Sequence, residues 1–315
     1  MDAAADAGCD AVKFQVFRAG TLNAVGAGAS DYLAAAGIKQ DVAELIAGLE
    51  MPYEMLAALA AHARERGLRF MAAAFSVADA RAVDPHVSVH KLASYEINHI
   101  RLLEFIAATG KPVVMSTGGA TRDDIRRALD FFRARSAAPV ALMQCVAAYP
   151  APPAACNLRA LPALAAEFDC VVGLSDHTFD AVAAPAAAVA LGARVIEKHF
   201  TLSRTLPGPD HSFAVEPDGL AALVRTVRLV EEMLGSGAKA VQPAEEELVA
   251  YAFRGVQATR DVSPGEPLRE GVNMDILRPG KNRRGMNPLD IARLEGRPAA
   301  RAIGAGDGIR EEDAA

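Results

Sequence analysis

Val171-Val172-Gly173-Leu174-Ser175-Asp176-His177 is followed, one helical stretch later, by Arg194-Val195-Ile196-Glu197-Lys198-His199. Each is a short β-branched or aliphatic run ending in alternating polar residues, and 180–191 between them reads as a helix. Strand, crossover helix and second strand make a βα unit of parallel sheet. Working outward from 171–175 and 194–199, the same alternation predicts strands over 11–16, 68–73, 87–93, 113–116 and 140–146. Helices are predicted over 53–66, 100–109 and 121–135. Roughly one unit per thirty residues describes an α/β chain, a (β/α)8 TIM barrel with one strand missing. Met1–Gly8 reads as the tail of a helix ending at Gly8, just before a strand, so the absent first strand is expected upstream of residue 1.

The pattern breaks after Leu234. Gly235-Ser236-Gly237, then Pro243 and Glu245-Glu246-Glu247, read as a linker and a short helix. The expected organisation is a barrel over 1–236, a linker over 237–250 and a small β-rich module over 251–315, with strand-like runs at 255–259 and 274–277. That module holds few apolar residues, which predicts that it leans on a partner surface. At 315 residues, 51% hydrophobic and 23% charged, the chain has the profile of a globular protein. Its 33 basic and 39 acidic residues give a net charge of -6, which argues against a general nucleic-acid binder. The longest uncharged apolar run, 181–193, contains Pro185 and is shorter than the roughly 20 residues of a membrane span. Met1-Asp2 and Asp6 lack the features of a secretory leader. Cys9, Cys145, Cys156 and Cys170 have no metal-type spacing and are expected to be packing residues in a reducing compartment, the cytoplasm.

In parallel barrels the reactive groups gather at the C-terminal strand ends. Lys13 and Gln15, Ser175 and His177, and Glu197 and His199 are i, i+2 pairs, so both members of a pair project from one side of a strand. Lys91-Leu92-Ala93-Ser94-Tyr95-Glu96 adds a lysine, a hydroxyl and a carboxylate at a fourth end. Lys13 and Lys91 suit a phosphate or carboxylate as compact point charges. Lys198 alternates to the opposite face from Glu197, which predicts a structural ion pair outside the barrel. Ser116-Thr117-Gly118-Gly119, between a strand and a helix, offers hydroxyls and N–H groups to an anion. His177 and His199 end neighbouring strands, and two imidazoles with room for water point to a divalent metal, with Asp176 and Glu197 as neighbours. The alternative is two histidines that only hydrogen-bond at the rim. Tyr149 and Asp210 lie in proline-stiffened loops and are candidates to bind a polyhydroxylated ligand. His62, His86, His90 and His99 show no partner pattern.

Taken in order, Val12-Lys13-Phe14-Gln15, Lys91-Leu92-Ala93-Ser94-Tyr95-Glu96-Ile97, Ser116-Thr117-Gly118, Tyr149-Pro150-Ala151-Pro152, Gly173-Leu174-Ser175-Asp176-His177-Thr178, Ile196-Glu197-Lys198-His199-Phe200 and Pro207-Gly208-Pro209-Asp210 resemble the motif series of the sialic acid synthase family. The region around Arg278-Pro279-Gly280 is similar to the antifreeze-like (SAF) domain of its bacterial and archaeal members. The resemblance implies condensation of phosphoenolpyruvate with N-acetylmannosamine or a related N-acetylated hexose, giving a nine-carbon 2-keto acid and phosphate. It implies a divalent ion, Mn2+ or Mg2+, on His177 and His199 that polarises the sugar aldehyde. It places phosphoenolpyruvate on Lys13, Lys91, Ser94, Ser116 and Ser175, and the sugar on Gln15, Tyr149, Glu197 and Asp210. Glu96 becomes the base or orienting group for water. Arg278 is expected to cap the site of a second subunit in a domain-swapped homodimer. The chain departs from the family pattern at Ala72-Ala73-Ala74-Phe75, where Ser-Thr-Pro-Phe is frequent, at Ala147, where a polar residue is usual, and at Gln144, where histidine is common. Other readings are a different metal-dependent barrel aldolase and a non-catalytic sugar- or phosphate-binding relative. The motifs leave open a sialic, legionaminic or pseudaminic product.

Overall fold

In the computed structural model, which describes residues 1–24 and 42–315, the aliphatic runs pair as parallel strands. β1 (Ala11–Val16), β2 (Arg69–Ala74), β3 (His90–Leu92), β4 (Val113–Ser116), β5 (Val140–Cys145), β6 (Val171–Asp176) and β7 (Val195–Lys198) form one sheet in sequence order. All six neighbouring pairs are parallel. Helices Met55–Glu65, Val77–Val83, Ile100–Thr109, Arg122–Arg133, Ala160–Phe168 and Ala183–Ala190 fill the connections. Twisted parallel strands joined in order by crossovers of one hand roll the sheet. The roll brings its two edges together, for Lys13 on β1 and Glu197 on β7 meet at 3.2 Å. Among the described residues neither β1 nor β7 pairs with a strand on its outer side. The result is a curled, seven-stranded sheet of TIM-barrel type. β3 is shorter than the run 87–93 because a 3-10 turn, Asp84–His86, and a bend at 88–89 delay its start.

Helices cover the outside of the roll. Leu92, Met115, Leu142 and Leu174 from β3 to β6 pack against Leu102, Ile106, Leu129, Phe132 and Leu161. Each such side chain contributes about 1.5–3 kcal/mol on burial. A second cluster joins Val16, Phe70 and Ala72 to Leu56 and Ala60, and to Val215 and Leu220 at the start of the helix Pro217–Leu234. Apolar packing therefore ties the first strands to the last helix where no strand pairs. Inside the roll Gly173 is obligatory: a Cβ there would stand 2.5 Å from both Met143 Sδ and the Val195 carbonyl oxygen.

The chain divides into two units, Met1–Gly235 and Ser236–Ala315, so residues 236–250 group with the second. There the helix Glu246–Ala252 precedes β8 (Gly255–Ala258), which pairs antiparallel with β9 (Met274–Leu277). Isolated bridges such as Val262 to Ile303 and Ala299 to Ala314 complete a module of short strands. Despite its few apolar residues this unit has a core of its own, built on Val256, Val262, Leu268, Met274, Leu294, Ile303 and Ile309. Side chains at Gly285 and Gly308 would collide with the crossing backbone, which lets two chains pass close enough to share this small core.

Candidate active site

Strand register sets the level of each functional side chain. Gln15 pairs with Ala73 and Ala73 with Lys91, while Cys145 pairs with Ser175 and Ser175 with Glu197. Partners across parallel strands face the same side, so these residues share the inner face at the C-terminal end of the roll. Lys91, 2% exposed, donates from Nζ to Ser116 Oγ at 2.7 Å and to the Leu92 carbonyl at 3.1 Å, and lies 3.8 Å from Glu197 Oε1. Glu197 also faces Lys13 Nζ at 3.2 Å and accepts a hydrogen bond from Ser175 Oγ at 2.8 Å. Behind them Ser94 Oγ accepts from the Gly118 N–H at 3.0 Å and also hydrogen-bonds to the Cys145 sulfur.

The electrostatics follow from this packing. Burial pushes the Lys91 ammonium down to about 8, against the opposing pull of Glu197. Burial alone would raise the Glu197 carboxyl, but Lys13, Lys91 and the Ser175 hydroxyl outweigh it and hold it below the usual carboxylate range. Two cations against one carboxylate make the pocket a receptor for an anion. Burial raises the Glu96 carboxyl, and among the described residues that carboxylate makes no hydrogen bond or ion pair.

Beside this cluster stand the two histidines, with ring centroids 5.3 Å apart. His177 Nδ1 lies 2.7 Å from the Val146 carbonyl, an acceptor, so Nδ1 carries the proton and Nε2 a lone pair. Burial lowers the His177 imidazole to about 4, with the Val146 hydrogen bond opposing, so the ring is neutral at pH 7. His199 Nδ1 faces Asp210 Oδ2 at 3.3 Å, which directs its Nε2 away from the carboxylate. Burial would raise the Asp210 carboxyl, but the pairing with His199 holds it below its ordinary value. Two imidazoles, each tied through Nδ1 to an oxygen, are the donors a divalent metal takes with water at its other positions. Among the described residues no three His, Cys, Asp or Glu side chains form a closed metal cage. The donor set fits an open site and not a structural one. The Tyr149 ring lies 4.2 Å from that of His177 and 5.8 Å from that of His199, with Phe213 behind.

Lys13, Gln15, Glu197, His199, Asp210 and His211 are among the residues that line a cavity of about 260 Å³. A wider hollow at the opposite strand ends, lined by Ser136, Pro139 and Val171, gathers little charge, and its Arg133 is engaged with the Phe168 carbonyl. Arg278 belongs to the second unit, directly after β9, and is exposed there.

Several expectations change. Asp176 is no neighbour of the histidines: it is buried on the outer side, 2.6 Å from Lys198 Nζ, which also donates to the Thr178 and Asp180 carbonyls. Glu197 serves the lysines. His62 and His90 do have partners, Asp2 at 2.8 Å and Asp84 at 3.0 Å, and His99 caps its helix by accepting from the Leu102 N–H. Gln144 turns outward and ties the Cys156 carbonyl. Cys145 is buried but is more than filler, for it lies against Ser94, Ser175 and Lys91 and 3.9 Å from His177 Nδ1. Period-two alternation after Met143 was the signal that pointed it inward.

The NeuB family profile matches residues 1–239. The chain belongs to the NeuB family. It is 40% identical over 332 aligned residues to the spore coat polysaccharide biosynthesis protein SpsE of Bacillus subtilis, covering 99% of this chain and 87% of that one. It is 32% identical to a pseudaminic acid synthase of Campylobacter jejuni, covering 99% and 90%. A crystal structure of N-acetylneuraminic acid (sialic acid) synthetase from Leptospira borgpetersenii, solved with citrate, superposes with a TM-score of 0.70 at 31% identity over 79% of this chain and 83% of that one. For this NeuB-family chain the matched residues contain every candidate site residue except Arg278.

Proposed function

We propose that the chain is a nonulosonic acid synthase. It joins C3 of phosphoenolpyruvate to the aldehyde carbon of an N-acetylated hexose, water adds at C2, and the tetrahedral adduct loses phosphate to leave a 2-keto acid. The observation that carries this reading is the convergence of Lys13, Lys91, Ser94, Ser116 and Ser175 on one anion pocket directly beside His177 and His199. Lys13 and Lys91 neutralise the phosphate and carboxylate. Ser94, Ser116 and Ser175 fix their oxygens, and Gln15, Tyr149, Glu197 and Asp210 orient the sugar. Glu96, with its raised affinity for a proton, takes one from the attacking water. His177 and His199 would hold Mn2+ or Mg2+, which supplies a Lewis acid for the aldehyde oxygen. The second unit is an SAF-type module whose Arg278 completes the site of the other subunit in a domain-swapped homodimer, and the enzyme acts in the cytoplasm.

The test is phosphate release from phosphoenolpyruvate with a panel of N-acetylated hexoses. Release with one sugar, abolished by chelator and restored by Mn2+ or Mg2+, is the expected result and names the substrate. One observation favours a second reading: the inner position level with Lys91 is Ala73, which has no hydroxyl for a phosphate. Binding of phosphoenolpyruvate without turnover would select the non-catalytic relative. Metal-dependent cleavage or condensation without phosphate release would select another aldolase.

A further inference from the structure

We propose that His211 is a positioning residue which, through Thr201, holds the loop 207–211 so that the Asp210 carboxylate stays on His199. This role rests on the synthase reading above and deepens it. Beyond β7 the chain is stitched back on itself: Thr201 N–H donates to the Val215 carbonyl and Val215 N–H to the His199 carbonyl, both at 2.9 Å. The loop bulges out between these anchors. Thr201, 4% exposed, spends its single hydroxyl proton on the Ser203 carbonyl at 2.9 Å. Its Oγ1 lies 2.7 Å from His211 Nδ1. A carbonyl can only accept, so Thr201 Oγ1 must accept from His211, and Nδ1 of His211 carries the proton.

The opposite edge of the ring is fixed by backbone. A Cβ on Gly208 would stand 2.8 Å from His211 Cδ2 and 3.2 Å from Nε2, and Gly208 has φ +142°. The imidazole is thus clamped between Thr201 and Gly208. Asp210 is the adjacent residue, with its Oδ2 3.3 Å from His199 Nδ1. Pro207, Gly208 and Pro209 carry no side-chain hydrogen-bonding group, so among the described residues the side-chain tie of this loop to the end of β7, besides the Asp210–His199 pair itself, is the one from His211.

Steady-state kinetics of His211→Ala, Thr201→Val, the double variant and His211→Asn test this, with the KM of the sugar and that of phosphoenolpyruvate read separately. His211→Ala and Thr201→Val are each expected to lower kcat/KM for the sugar at least about tenfold while the phosphoenolpyruvate KM stays within about twofold. The double variant is expected to be no worse than the poorer single one. His211→Asn, whose amide N–H replaces Nδ1–H, should stay within about threefold of wild type. An Asn variant as impaired as Ala, losses that multiply in the double variant, or equal damage to both KM values would overturn the proposal. If the wild-type chain releases no phosphate with any sugar, the synthase reading fails by itself. The tie is then decided by the 15N imidazole signals of His211, where a proton on Nδ1 supports it and the Nε2–H tautomer sinks it.

Discussion

Lys91 must hold a charge where water cannot help it, and this makes it a sensitive reporter. Its folded value of about 8 lies below the unfolded one, so the ammonium is lost as pH rises through about 8. The KM for phosphoenolpyruvate is expected to rise across that range, and Lys91→Arg, which stays charged, should flatten the profile. Linkage gives the sign for stability: between about 8 and 10.5 the unfolded chain binds more protons at this site, so the contribution of Lys91 to stability rises with pH there. Glu197→Gln leaves two lysines facing each other with no counter-charge. It should lower stability at pH 7 by about 3 kcal/mol in urea unfolding. At Ala73, Ala73→Ser supplies one hydroxyl to the pocket and is expected to lower the phosphoenolpyruvate KM about tenfold, the equivalent of a modest charge-assisted hydrogen bond. An unchanged KM would mean that position 73 does not reach the phosphate.

At the scale of elements, β5, β6 and β7 pass one another with room only for hydrogen at Gly173. Gly173→Ala should cost at least about 2 kcal/mol, read as a lower urea midpoint, because the Val195 backbone cannot move aside as the Met143 thioether can. The strands themselves were legible because period two and β-branching are local properties. The run 11–16 reads directly as β1, and 113–116 as β4. The i, i+2 pairs were legible for the same reason, which is why Lys13, Ser175, His177 and Glu197 could be placed on the inner face before any contact was known. Contacts between distant strands were not legible. Nothing near Glu197 in sequence says that it faces Lys13 and Lys91, nor does anything near His177 announce the Val146 carbonyl that sets its tautomer. The proper partner of Asp176 was equally hidden, because Lys198 reaches it only once β6 and β7 are side by side.

For the whole molecule, the proposed exchange of second units gives a sharp expectation. Mixing His199→Ala with Arg278→Ala chains, each inactive alone, should restore roughly a quarter of wild-type activity after subunit exchange, since half of random dimers are mixed and each holds one intact site. No recovery would mean that the site is not shared between chains. The Lys13–Glu197 pair has a mechanical side as well. Six joints of the roll are made by parallel strand pairing, whereas among the described residues the seventh, between β1 and β7, carries the Lys13–Glu197 ion pair and the apolar packing of the first strands on the last helix. That joint is a latch. An anion that binds Lys13 competes with Glu197 for it at this joint, so filling the pocket is expected to change how the two edges of the roll are held together.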